Sequence, residues 1–155
     1  MRVIIQGDSM APVLDAGQRV FVSRLAYRIG SPSRGDLVVL RRDGGPLLIK
    51  RVVAGPDDRI RSSSGRVQVN GRFLPRGDCN SVDLQAPDIE KTLGPDEYFV
   101  LGEDSRSSWD SRRFGPVLRR EILAKVIGCY WPPPRWGFTG LARSSPSHSL
   151  GGPRG

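Results

Sequence analysis

Short runs of alternating apolar and polar residues, each closed by a turn signal, recur along this chain and predict strands. Arg19-Val20-Phe21-Val22-Ser23 alternates as a half-buried strand does. Val3 to Gln6 reads as a strand entering a loop around Ser9. Asp36 to Leu40 and Leu47 to Val53 flank Asp43-Gly44-Gly45-Pro46, which predicts a hairpin. Arg66 to Leu74 predicts another, with Asn70-Gly71 supplying the positive φ angles of a tight turn. Tyr98 to Leu101 leads into a polar loop, Gly102 to Arg113. Glu121 to Trp131 is a last long strand, or a short helix running into a strand. Periodicity is weak from Cys79 to Pro95, so a loop excursion is expected over about residues 75–96. Phe138 to Gly155 is rich in Ser, Gly and Pro and reads as a disordered tail. The pattern predicts a mostly β fold, with one domain over residues 1–137 and a tail over 138–155.

Composition agrees. The 155 residues are enough for one domain with a sizeable core. With 13 prolines and 19 glycines, turns are favoured over long helices. Lys+Arg number 24 and Asp+Glu 16, a net charge of +8 that favours anionic partners without choosing between nucleic acid and acidic lipid. No helix-turn-helix pattern, zinc spacing or aromatic run among basic residues is present, so nucleic acid is not the expected partner. Cys79 and Cys129 lack CxxC spacing and leave two readings open, one disulfide or two free thiols. No metal site and no cofactor are expected. No segment of roughly 18 apolar residues is present to span a bilayer, and Met1-Arg2-Val3-Ile4-Ile5 is too short for a signal peptide's apolar region.

Candidate chemistry centres on a serine and a lysine. The single histidine, His148, lies in the tail, so a Ser-His-Asp triad is not expected and a base must come from elsewhere. Ser9 sits in Gly7-Asp8-Ser9-Met10-Ala11-Pro12, and Lys50 in Leu47-Leu48-Ile49-Lys50-Arg51-Val52-Val53. A serine hydroxyl is a poor nucleophile until a neighbouring base takes its proton. Lysine serves only as the neutral amine, which desolvation favours. A period of two puts Leu48 and Val52, not Ile49, on the face that Lys50 shares. Alternation alone does not dry the amine; the assembled site must.

Four segments together resemble the boxes of bacterial type I signal peptidases, family S26. Gly7-Asp8-Ser9-Met10-x-Pro12-x-Leu14, with Gly17-x-Arg19-Val20-Phe21-Val22, resembles the nucleophile box. Arg34-Gly35-Asp36-Leu37-Val38-Val39-Leu40 and Ile49-Lys50-Arg51-Val52-Val53-Ala54-Gly55 follow in family order. Gly102 to Arg112 with Gly115-x-Val117 resembles the last box. The resemblance covers most of residues 3–131 and implies a coiled antiparallel-sheet fold, shared with LexA-like Ser-Lys peptidases. It implies Ser9 as nucleophile, Lys50 as general base, Ser108 orienting the lysine, and the Ser9 backbone N–H in the oxyanion hole. Gly7 stands where some members carry a further hydroxyl donor. Asp110 and Arg112 match an acidic-basic pair expected to support the Ser108 loop. Glu103 and Asp104 replace the commoner Asp-Asn. Ile5, Met10, Leu14, Leu48 and Ile49 are the expected linings of small apolar pockets. An extended substrate would lie between the Ile5 and Ile49 segments and be cut after Ala-x-Ala.

The implied partners are signal peptides of exported precursors, the implied site the outer face of the cytoplasmic membrane, and the expected state a monomer. Family members usually carry one or two membrane-spanning helices just before the serine box, whereas Ser9 here follows eight residues. A truncated start, a peripheral domain and a special substrate are the competing explanations, with basic residues and the Trp131/Trp136 region as membrane contacts. A serine in a Gly-Asp-Ser loop is ordinarily a turn residue, and a strand lysine ordinarily snorkels. Four boxes in order outweigh those readings. A self-cleaving LexA-type protease and a non-catalytic basic β-barrel binding nucleic acid are the alternatives.

Overall fold

The computed structural model describes residues 2–4, 17, 19–74, 85–103 and 108–131, with backbone only for 2–4 and 129–131. Among these, strands β1 (Arg2–Ile4), β2 (Arg19–Ser23), β3 (Leu37–Arg41), β4 (Leu47–Ala54), β9 (Glu97–Leu101), β10 (Val117–Leu118) and β11 (Ile122–Trp131) form one sheet, in the order β1-β2-β11-β3-β4-β9-β10. A second sheet, β7-β6-β5-β8, comprises β5 (Arg59–Ser63), β6 (Arg66–Val69), β7 (Arg72–Phe73) and β8 (Ile89–Thr92). Every pairing is antiparallel. The only helices among the described residues are single turns: α1 (Ala26–Ile29), α2 (Ser111–Phe114) and a 3-10 turn, Arg119–Glu121. The fold is mostly β, as the turn-rich composition predicts.

Alternation sorts the strands onto two faces. On β3, Val38 and Leu40 join a core with Tyr27, Val52, Tyr98, Val100, Val117 and Ile122, while Val39 packs with Val20, Val22 and Ala124. On β9, Tyr98 and Val100 serve the first core, and Phe99 and Leu101 face a third containing Ile60, Val67 and Val69 of the small sheet. Apolar side chains on alternate positions thus bind three layers from two sheets. A register shift between Val52 and Ala54 in the β4–β9 pairing marks a bulge. It turns both Val53 and Ala54 toward the small sheet, where strict alternation would have put Ala54 on the face of Lys50 and Val52.

The predicted hairpins are present. β3 and β4 pair from Leu37↔Arg51 to Arg41↔Leu47. Val69↔Arg72 closes a two-residue loop of Asn70 and Gly71, at φ 51° and 79°. The expected loop over 75–96 needs correction. Residues 75–84, with Cys79, lie outside the described residues, but Ile89–Thr92 is a strand on β5, from Arg59↔Thr92 to Ser62↔Ile89. Its Ile-Glu-Lys-Thr sequence is exposed at three of four positions, so it carries almost no apolar period. Ladder hydrogen bonds hold it instead. Cys129 lies in β11, opposite Val20, and the tail expected over 138–155 lies outside the described residues, as does His148.

No helix among the described residues is long and apolar enough to cross a membrane. Gly71→Ala tests the tight turn, because nothing lies within 4 Å of the added Cβ and only the left-handed backbone is penalised. We expect a loss of about 1 kcal/mol, read as a lower urea midpoint with unchanged circular dichroism. An unaltered midpoint would contradict the turn.

Candidate active site

Lys50 lies on β4, opposite Val38 across the pairing with β3, and shares its face with Leu48 and Val52. It is 1% exposed. Its Nζ donates to Ser108 Oγ at 2.9 Å. Burial pushes its pKa down from 10.5 to about 8; Asp110 opposes that shift through its charge, and Arg112 adds to it. The assembled site therefore does what alternation alone could not: the amine is dry, and half of it is neutral near pH 8.

Two residues after Ser108, a buried carboxylate anchors the chain. Asp110 Oδ1 accepts from Arg112 Nε at 3.0 Å and from the Arg112 backbone N–H at 3.1 Å, while Oδ2 accepts from Arg112 Nη2 at 2.6 Å. Oδ2 also accepts from the Gly102 N–H at 2.9 Å, tying the loop to the end of β9. Asp110 caps α2 through the same Arg112 N–H. Ser111 Oγ adds a further tie by accepting from the Val100 N–H at 3.0 Å. Sequence reasoning missed Ser111, whose signal was its place inside the last box. The loop that delivers Ser108 is therefore stitched to β9 at residues 110 and 111.

A second ion pair joins the lysine strand to that loop. Arg51, on the opposite face from Lys50, donates its Nε to Glu103 and its Nη1 to the Gly35 carbonyl at 2.8 Å. Glu103, a departure from the resembled pattern, thus has a partner in the residue beside the lysine. Gly35 stands at φ 90°, and the turn it makes with Arg34 precedes β3. Asp36, just after it, accepts from the Tyr27 hydroxyl and pairs with Lys125, which keeps its carboxyl below the usual range even though burial opposes this.

The structure brings Lys50 and Ser108 together, and Asp110 with Arg112. It places Leu48 and Ile49 on opposite faces: Leu48 packs against the core around Val52, Ile49 against Val20, Val22 and Val39. Any pockets they line are therefore separate ones. Ser9, Ile5, Met10 and Leu14 lie outside the described residues. On its far side, β4 pairs with β9 only from Arg51↔Leu101 to Ala54↔Phe99. Among the described residues, then, no strand covers residues 47–50 along that edge. Among the described residues the arrangement offers an amine that gives up its proton near pH 8, a hydroxyl bonded to it, and an unpaired length of strand edge.

A family model described as "Signal peptidase, peptidase S26" matches residues 1–131. Over 146 residues the chain is 34% identical to a protein named probable signal peptidase I-2 from Synechocystis sp., covering 86% of this chain and 64% of that one. It spans just under two thirds of that relative's length. It is 32% identical over 148 residues to a signal peptidase I of Bacillus caldolyticus, covering 87% of this chain and 81% of that protein. The crystal structure of a signal peptidase I from Enterococcus faecalis V583 matches with a TM-score of 0.50 at 22% identity, over 64% of this chain and 99% of that one. That likeness is one of fold.

Two substitutions separate stability from chemistry here. Asp110→Ala leaves the buried Arg112 guanidinium without its carboxylate and should cost about 3–5 kcal/mol in urea unfolding. Lys50→Met should do the reverse at pH 7. The folded-state pKa of Lys50 lies below its unfolded value, so burying the charged form costs about 3 kcal/mol below pH 8. That cost fades as pH rises from 8 to 10.5, where the unfolded chain holds the proton and the folded one does not. The stability advantage of Lys50→Met over wild type should accordingly shrink across that window. A constant difference from pH 6 to 10 would contradict a depressed lysine.

Proposed function

The chain belongs to the signal peptidase family, peptidase S26, and from that premise we propose a serine endopeptidase that removes signal peptides from exported precursors after Ala-x-Ala. The observation that carries the reading is Lys50: buried, hydrogen-bonded to Ser108, with its amine depressed to about 8. A lysine kept only for solubility would sit in water. In a chain whose one histidine is at position 148, this amine is the available base.

In this reading Ser9 Oγ attacks the scissile carbonyl carbon as its proton passes to Lys50 Nζ. The oxyanion accepts from the Ser9 backbone N–H. Collapse expels the new N-terminal amine, which takes the proton back from Lys50, and leaves an acyl-enzyme on Ser9. Water, deprotonated by Lys50 Nζ, then attacks the ester carbon; as the bond to Ser9 Oγ breaks, Lys50 returns the proton to Oγ and the signal peptide leaves with a new C-terminal carboxyl group. Ser108 fixes the lysine's direction, and the Asp110–Arg112 pair holds the loop that carries Ser108. The substrate adds as a strand along the uncovered edge at residues 47–50. The enzyme works as a monomer, without metal or cofactor, at the outer face of the cytoplasmic membrane, with the net charge of +8 favouring anionic lipid.

A synthetic precursor peptide ending its signal in Ala-x-Ala tests the reaction. Wild type should cleave it after the second alanine, and Ser9→Ala and Lys50→Ala should each lower kcat by more than 1000-fold, roughly the scale of losing a nucleophile or its base, with folding retained. Because the neutral amine is the active form, log kcat/KM should rise with pH and level off near 8. Cleavage that survives Ser9→Ala, or activity that falls as pH rises from 6 to 8, would refute the dyad.

A further inference from the structure

A cleft of about 410 Å³ opens beside the Lys50–Ser108 pair, lined by Arg42, Asp43, Pro46, Leu48, Trp109 and Phe114. Two of these residues fix its place. Leu48 lies two positions before Lys50 on the same face of β4, and Trp109 follows Ser108 directly. We propose that this cleft is a specificity subsite for the middle residue of the Ala-x-Ala sequence, and that Trp109 selects a large apolar, above all aromatic, side chain there. The inference rests on the peptidase reading above and deepens it.

Strand geometry carries the argument. A peptide added to the edge of β4 at residues 47–50 alternates its side chains between the two faces of the sheet. On the Ile49 face the strand meets the side chains of Val20, Val22, Val39 and Ala124, and we assign the two small residues to that face. The first and third residues before the cut fall on one face and the second on the other. If the two small residues take the Ile49 face, the intervening one points toward Leu48 and the cleft.

The cleft is built to receive an apolar group. Trp109 is 59% exposed, a large ring left half in water next to the reacting groups. Its centroid lies 6.5 Å from that of Phe114, tilted at 51°, which is aromatic-pair geometry with one open flank. Arg42 fixes the opposite wall: Nη1 donates to the Phe114 carbonyl at 2.6 Å, and the guanidinium lies 4.8 Å over the Phe114 ring. At the mouth Arg42 pairs with Asp43 at 3.4 Å, and the Arg113 guanidinium lies 6.0 Å from the Trp109 centroid, so a basic side chain is disfavoured there. A substrate ring entering between Trp109 and Leu48 would cover the exposed part of the indole.

Two peptides that differ only in that middle position, Ala-Phe-Ala and Ala-Ala-Ala, test the inference with wild type, Trp109→Ala and Trp109→Phe. Wild type should favour phenylalanine by roughly tenfold in kcat/KM, the scale of a partly enclosed apolar contact, chiefly through KM. Trp109→Ala should bring the ratio close to one, and Trp109→Phe should restore most of it. The exposure of Trp109 makes both variants expected to fold, and circular dichroism checks that. A wild-type ratio near one, or a preference that persists in Trp109→Ala, overturns the subsite while leaving the protease intact. Failure of wild type to cut either peptide overturns the protease reading, and the subsite with it.

Discussion

A lysine side chain with almost no contact with water is the constraint around which this domain is arranged. An ammonium in that position is costly, and the molecule accepts the cost by letting the amine lose its proton more easily. Three kinds of support make the burial tolerable. The apolar face of β4 excludes water, the Ser108 hydroxyl satisfies one donor at 2.9 Å, and Asp110 with Arg112 supplies nearly balanced charge beneath. The balance matters. A carboxylate alone would drive the lysine back toward its charged form, and the paired guanidinium offsets that pull.

The same pair is costly in isolation. Both Asp110 and Arg112 are almost wholly buried, and such pairs seldom add net stability relative to apolar replacements. Their arrangement makes sense as positioning. Through Gly102, Val100 and the first turn of α2, residues 110 and 111 lock a loop onto the rigid end of β9, and Ser108 follows. Arg51 and Glu103 fasten the other end of that loop to β4. Lysine and serine thus reach each other across 58 residues of sequence because both anchor to adjacent strands.

Much of this was legible in the residues. Arg19–Ser23 and the β3–β4 hairpin follow from alternation and glycine-rich turns, and Asn70-Gly71 specifies its two-residue loop. Leu48 and Val52 share the lysine's face, as a period of two requires. What escaped was structure without an apolar signature. β8 is exposed at three of its four positions and joins the small sheet by ladder bonds, so its sequence resembles loop. The bulge after Val52 is invisible for the same reason: it depends on the facing strand. Leu48 and Ile49, expected to line small apolar pockets, lie on opposite faces of β4. The burial of Lys50 and the wall formed by Trp109 and Phe114 are long-range facts that no local pattern encodes.

Among the described residues, β4 is unpaired along half of one edge. Hydrogen bonds along such an edge go to peptide groups that every protein chain possesses, so attraction to this site is largely blind to sequence. Discrimination must then come from the side chains that flank the ledge, not from the ledge itself. Among the described residues the unpaired ledge is only four residues long, and so short an edge offers little purchase for pairing between copies of the chain.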